Sequence, residues 1–188
     1  MIGYDFDETI YHGDSTRDFI FYCLKRQPGL VRFLPRWGWN ALLWKVFHVK
    51  SKTQFKEKLY SFFGGIQDID AYVEDFWAGH FENVKGWYLQ QKRPDDVIIS
   101  ASPEFLLKPA IDRLGLKHLM ASRVDKKTGK YTGENCWGEE KVVRFRAQMP
   151  GAEIESFYSD SRSDTPMAKL ATGKSYLVKG DELIEWDL

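Results

Sequence analysis

The pattern of apolar and polar positions changes twice along the chain. It opens on a short apolar run from Ile2 to Phe6, which predicts a strand that carries carboxylates, Asp5 and Asp7, at its end. From Asp14 onward the apolar positions Phe19, Ile20, Cys23 and Leu24 recur at helical spacing. Asp14 or Ser15 can cap this segment, and Pro28 and Gly29 stop it. Further helices are predicted over 30–49, over 53–63 behind a capping box of Ser51 and Gln54, and over 66–81, where acidic residues crowd the first turns. After about Val84 the periodicity shortens. DVIIS at 96–100 reads as a strand buried on both faces, followed by a helix opened by Ser102 and Pro103 and ended by Gly115. Strands at 118–124, 154–159 and 175–178 then alternate with helices at 138–148 and 166–171, and the KKTGK stretch forms a surface hairpin.

Strands alternating with helices predict an α/β fold, a Rossmann-like, doubly wound open parallel sheet. An all-helical insert of about seventy residues interrupts it after the first strand. The expected partition is an α/β core from 1–12 and 86–188 and a helical cap over 13–85.

Length and charge narrow this reading. A chain of 188 residues suits one domain carrying an insertion, and 27 basic against 27 acidic residues points to no nucleic-acid partner. Cys23 and Cys136 lie far apart without a CxxC pair or a nearby His, so free thiols in a reducing compartment are expected rather than zinc or a disulfide framework. No basic segment with an apolar core precedes the first strand, and WGWNALLWKVFHV at 37–49 is too short and interrupted to span a bilayer. A cytoplasmic protein is the expectation.

In such sheets ligands bind beyond the carboxyl ends of the strands. Those ends carry Asp5 and Asp7, then Ser100, then Asp160 and Asp164, and Lys141 opens a later helix. Carboxylates gathered at one edge repel one another unless a cation joins them. The set therefore predicts a hard divalent ion, Mg²⁺ completed by waters and a substrate phosphate, with the lysine set for a substrate anion.

The same residues carry a resemblance. DFDETI, with Thr9, matches the DxDxT signature of the haloacid dehalogenase-like phosphohydrolases directly after the first strand. IISASPEFLL then supplies the second motif at Ser100, GEEK the third at Lys141, and FYSDSRSD the acidic fourth. The helical insert and the SASPEF wording resemble the subclass that contains phosphoserine phosphatase. The resemblance implies Asp5 as nucleophile forming an aspartyl phosphate and Asp7 as general acid and base. It also implies Mg²⁺ on Asp5, the Asp7 carbonyl and Asp160, with Asp164 holding a metal-bound water or orienting Lys141. Thr9, Ser100, Ala101 and Lys141 are the implied phosphate-binding residues. An aspartate at the position of Asp7 separates this pattern from dehalogenases and ion-pumping ATPases. The fourth motif departs from the common GDxxND by Ser159 and Ser163, which keeps both carboxylates, and Arg162 between them reads as solvent-facing.

The function expected is that of a hydrolase, a Mg²⁺-dependent phosphomonoester phosphatase acting on a small phosphorylated metabolite. Lipid-phosphate hydrolysis of the phosphatidylglycerophosphate type, phosphotransfer to another alcohol, and a catalytically silent phosphate-binding protein stay open. Nothing in the sequence addresses the oligomeric state. Between Lys25 and Lys58 the insert carries nine basic residues against the single acid Glu57, interleaved with Phe33, Trp37, Trp39, Trp44, Phe47 and Phe55. That asymmetry fits an aromatic cap core with a solvated basic face, recruitment of an anionic substrate, or peripheral contact with an anionic membrane.

Overall fold

Strand β1 (Ile2–Tyr4) lies in the middle of the sheet because its residues are buried on both sides and pair in parallel with two neighbours, Gly3 opposite Val97 and opposite Phe157. The computed structural model describes residues 1–33 and 52–188. Its remaining strands are β2 (Val97–Pro103), β3 (His118–Ser122), β4 (Ser156–Ser159), β5 (Tyr176–Lys179) and β6 (Glu182–Glu185). The order is β3-β2-β1-β4-β5-β6, parallel except for β6, which runs antiparallel to β5. The chain winds outward from β1 to one side through β2 and β3 and to the other through β4 and β5. The carboxyl ends of β2, β1 and β4 therefore lie side by side where the winding reverses.

Between β1 and β2 all the described elements are helical: α1 (Ser15–Arg26), α2 (Lys52–Tyr60), α3 (Ile69–His80), α4 (Gly86–Gln91) and short 3₁₀ turns at Pro28–Phe33, Ser61–Gly65 and Phe81–Asn83. Helices α5 (Glu104–Arg113), α6 (Glu139–Gln148) and α7 (Thr165–Ala168) complete the core. The pleat of β2 divides its side chains between two apolar layers. Ile98 joins the layer that holds the insert, while Val97 and Ile99 join Phe145, Ile154, Phe157 and Met167 on the other face. The first layer is aromatic. Phe6 stacks on Tyr11 at 5.7 Å, both meet Trp77 edge-on, and the indole N–H of Trp77 donates to the Leu106 carbonyl at 2.6 Å. The described helices of the insert are thus bonded directly onto α5 of the core.

The 125–131 hairpin presses on the insert from the other side. Gly129 has φ +72°, and a Cβ there would come within 2.3 Å of the Tyr60 backbone, so only glycine permits the approach. The Tyr131 amide donates to Glu57 at 3.0 Å across the same junction.

Several boundaries and assignments differ from the sequence expectation. The strand expected to end the chain is followed by β6, whose exposed Glu182 and Glu185 blunt a sheet edge. The short helix α4 was hidden because Gly86 and Trp87 give no period. Of the helix expected over 30–49 the structure describes only the 3₁₀ turn, and the remainder, with Ser51 of the expected capping box, lies outside the described residues. Asp14 rather than Ser15 caps α1, its carboxylate accepting from the Arg17 amide at 2.8 Å.

Candidate active site

β1 ends at Tyr4, and the next residues leave the sheet at its carboxyl edge. They do so through a turn in which Glu8 takes φ 55°, in the left-handed region. That turn sends Asp5 and Asp7 into different surroundings. Asp5 Oδ1 accepts from Lys141 Nζ at 2.9 Å, and the same ammonium donates to Asp164 Oδ2 at 2.6 Å. Ser159 adds a hydroxyl to that Asp164 oxygen at 2.8 Å. Lys141 and Asp164 are both fully buried. Lys141 arrives there because Gly138, at φ +59°, turns the chain into α6, placing this residue on the helix's first turn facing the sheet.

Asp7 has no lysine. Its Oδ1 accepts from the Ser15 amide at the start of α1 at 2.6 Å, and its Oδ2 accepts from the Ser102 hydroxyl. Burial pushes its carboxyl up to about 6, with the charge of Asp14 adding to the effect and the bonds from Ser102 and Ser15 opposing it. Burial pushes Asp5 up as well, to about 7, against the pull of Lys141 and with the charge of Asp164 adding to it. Burial alone would discharge the Lys141 ammonium, but Asp5 and Asp164 outweigh it and hold it charged, above its ordinary range. Two carboxylates from one strand end are therefore held unequally, one on a permanent cation and one on neutral donors.

The other expected residues gather at the same edge with some redistribution. Ser100 is buried, and its Oγ accepts from the Ser102 amide at 3.1 Å. Ala101 presents its carbonyl to Lys56 at 3.2 Å. Thr9, expected on the phosphate, instead spends its hydroxyl on the fourth motif. Its Oγ1 accepts from the Asp160 amide at 2.9 Å and lies 3.4 Å from Asp160 Oδ1. Asp160 itself is exposed, and its carboxyl is raised by burial of its inner part and by Asp164. Arg162 is exposed, as expected. Asp164 takes the Lys141-orienting position, and its second oxygen is buried without a hydrogen-bond partner. Ser102, which sequence reasoning made a helix cap, turns instead to Asp7 and to Thr16 Oγ1 at 3.0 Å, leaving Pro103 in the cap position.

The family model of the haloacid dehalogenase-like hydrolases matches residues 2–169, which takes in all four strand-end motifs. The chain belongs to this family. Among curated relatives, a protein named probable phosphatase from Mycobacterium tuberculosis is 40% identical over 94 residues, spanning 46% of this chain but only 32% of the relative. A Bordetella pertussis Tohama I protein of unknown function shares the fold over 94% of this chain and 88% of its own, at TM-score 0.77 and 20% identity. A phosphoserine phosphohydrolase-like protein from Francisella tularensis follows over 94% and 85%, at TM-score 0.54 and 14% identity. The haloacid dehalogenase-like core and its phosphoserine phosphatase-like architecture are thus both present.

Around that family core, Ser15 and Ser102 carried only a helix-capping role in the sequence, and Thr16 and Lys56 no site role. A lone Ser, Thr or Lys carries no signal of its own, and the contacts of Ser102 and Lys56 span 95 and 45 residues. Lys56 comes from α2 and donates to the Ala101 carbonyl. Burial lowers its pKa, while Asp14, Asp7 and Asp5 pull it back toward the charged form. Among the described residues no helix is long and apolar enough to cross a membrane.

Proposed function

We propose that this chain is a Mg²⁺-dependent phosphomonoester phosphatase working through an aspartyl phosphate. The observation that carries the reading is the unequal treatment of Asp5 and Asp7. Asp5, held on the Lys141 ammonium, attacks phosphorus while the bond to the ester oxygen breaks. Asp7, held by the neutral Ser15 and Ser102 donors, gives its proton to the departing oxygen. It then takes a proton from the water that attacks the aspartyl phosphate, and inorganic phosphate leaves with Asp5 restored. The buried Ser100 and Lys141 supply the hydroxyl and the ammonium for phosphoryl oxygens.

The residues fit a divalent ion. The unpartnered, buried oxygen of Asp164 can receive a metal-bound water, and Asp5, Asp160 and the Asp7 carbonyl form an all-oxygen set. Among the described residues no three Asp, Glu, His or Cys side chains close into a cage, so water and substrate phosphate would complete the shell, as Mg²⁺ prefers. Such an ion supplies charge neutralisation that lets an anionic ester approach an anionic nucleophile.

The substrate is a small phosphorylated metabolite, with 1–12 and 86–188 as catalytic core and 13–85 as the cap that selects the leaving group. Lys56 supports the recruitment of an anionic ester, since it brings a cap cation to the Ala101 carbonyl beside the carboxylates. The basic and aromatic residues behind the membrane reading lie largely outside the described residues. Two free, buried cysteines suit the reducing cytoplasm.

With p-nitrophenyl phosphate, nitrophenol release is expected in Mg²⁺, its loss in EDTA, and its return with added Mg²⁺. No release across several divalent ions and a panel of phosphate esters would sink the reading in favour of silent phosphate binding. An added alcohol that captures most of the phosphate would favour phosphotransfer. Ser102→Ala removes a bond that lowers the Asp7 pKa. Its loss moves the alkaline fall of kcat/KM to higher pH by about 0.7 unit, for a bond worth about 1 kcal/mol. An unmoved limb in a pH series would separate Ser102 from the acid.

A further inference from the structure

Lys85 lies where the chain returns from the insert to the core. It is 1% exposed, yet no carboxylate lies within ion-pair distance of it among the described residues. Its ammonium donates to two backbone carbonyls, Glu8 at 2.7 Å and Gly180 at 2.5 Å. The charges facing it are those of Asp181, Glu8 and Asp160, and Asp181 is engaged by His12 at 3.6 Å. A buried ammonium without a paired anion costs more than an apolar side chain of the same length, so its presence calls for a task.

The task is visible at its two acceptors. Glu8 follows Asp7 directly and is the described non-glycine residue with positive φ, a conformation that persists only when its surroundings enforce it. Its amide is fixed on the Gly13 carbonyl at 2.9 Å, and its carbonyl is fixed by Lys85. Gly180, also at positive φ, is the turn between β5 and β6, so the lysine braces the Asp7 turn against a hairpin of the core. The Lys85 amide meanwhile donates to the Ile10 carbonyl at 2.8 Å, stitching the two chain crossings between core and insert together. A shift of this clamp would rotate the Glu8 peptide and carry the Asp7 carboxyl away from its place beside Ser102.

We propose that Lys85 is a positioning residue, holding the Glu8 carbonyl against the β5–β6 turn so that Asp7 stays aimed at the ester oxygen. This rests on the phosphatase reading above and adds a residue that none of the four motifs contains. It also predicts where the loss will fall. An ester whose alcohol leaves as a stable anion does not need the proton of Asp7, whereas a more basic leaving group does.

The test compares kcat/KM for p-nitrophenyl phosphate and for phenyl phosphate, two esters of similar shape and unequal leaving groups, in the native protein, Lys85→Met and Lys85→Gln. This ratio reports steps through departure of the alcohol and is blind to later hydrolysis of the aspartyl phosphate. For Lys85→Met, phenyl phosphate is expected to lose roughly 10²-fold, the scale of an ångström-sized misplacement, and p-nitrophenyl phosphate less than about threefold. Lys85→Gln, which keeps one donor for the two carbonyls, gives a smaller split in the same direction and serves where Lys85→Met does not fold. Equal losses on both esters, or failure of both variants to fold, overturn the proposal and leave Lys85 a structural anchor. A native protein inactive on both esters instead removes the phosphatase reading itself.

Discussion

An Asp5→Asn protein folds as the native chain does and turns over p-nitrophenyl phosphate at least about 10⁴-fold more slowly, because the amide cannot act as the attacking carboxylate. The exchange is nearly isosteric, and the Asn oxygen can still accept from Lys141, so circular dichroism and gel filtration should match the native protein. The lost step is covalent. Acid-quenched native protein, mixed with labelled ester, is expected to retain label on Asp5, and the variant none. Full activity in a folded Asp5→Asn protein would remove the aspartyl-phosphate mechanism. Asp7→Asn provides the contrast. It should abolish turnover of esters with basic alcohols while improving metal-free stability at pH 7 to 8. The reasoning is one of linkage: the folded pKa of Asp7 lies above its unfolded value of 3.8, so ionising it opposes folding as pH rises from about 4 to 6, and the amide escapes that penalty.

Lys141→Met is the variant with the largest expected effect on stability. It strips the cation from Asp5 and Asp164, whose side chains are 14% and 2% exposed, and removing one partner of a buried pair costs about 3–5 kcal/mol. For a chain of this length that lowers Tm by roughly 10 °C in EDTA. The sign of the pH dependence follows. Without the ammonium the Asp5 carboxyl, already raised by burial, is harder still to ionise, the folded state binds more protons than the unfolded one, and stability falls as pH rises. The deficit measured by thermal denaturation should thus be larger at pH 8 than at pH 5. Adding Asp164→Asn to Lys141→Met should recover part of it, since the two residues share one hydrogen-bonded chain. A Lys141→Met protein as stable as the native one at both pH values would mean that the Asp5–Lys141–Asp164 chain does not form.

The sequence was most legible where chemistry is local. DVIIS read as a strand buried on both faces, and the pair Asp14 and Ser15 marked a helix start, of which Asp14 makes the cap by accepting from the Arg17 amide. The four motifs could be read in order because each sits at the end of its own strand or the start of its own helix, and a parallel sheet brings those ends to one edge. Asp5, Asp7, Ser100, Lys141, Asp160 and Asp164 could therefore be assigned to that edge without any coordinates. The edge strand β6 was missed because Glu182 to Glu185 has little apolar alternation, and its pairing with β5 rests on backbone bonds that leave no mark in side-chain pattern.

The division of labour at the site belongs to the tertiary structure. Asp5 and Asp7 are the same residue type two positions apart, and what distinguishes them is that one meets Lys141 from α6 and the other meets Ser15 and Ser102, from α1 and β2. Thr9 was read as a phosphate ligand because it belongs to the first motif. Only the packing of β1 beside β4 shows its hydroxyl committed to Asp160. Residue types and their order along the chain determined that this protein builds an acidic edge on an α/β sheet. The fold decided which carboxylate meets an ammonium and which meets neutral donors, because those partners arrive on α6, α1 and β2.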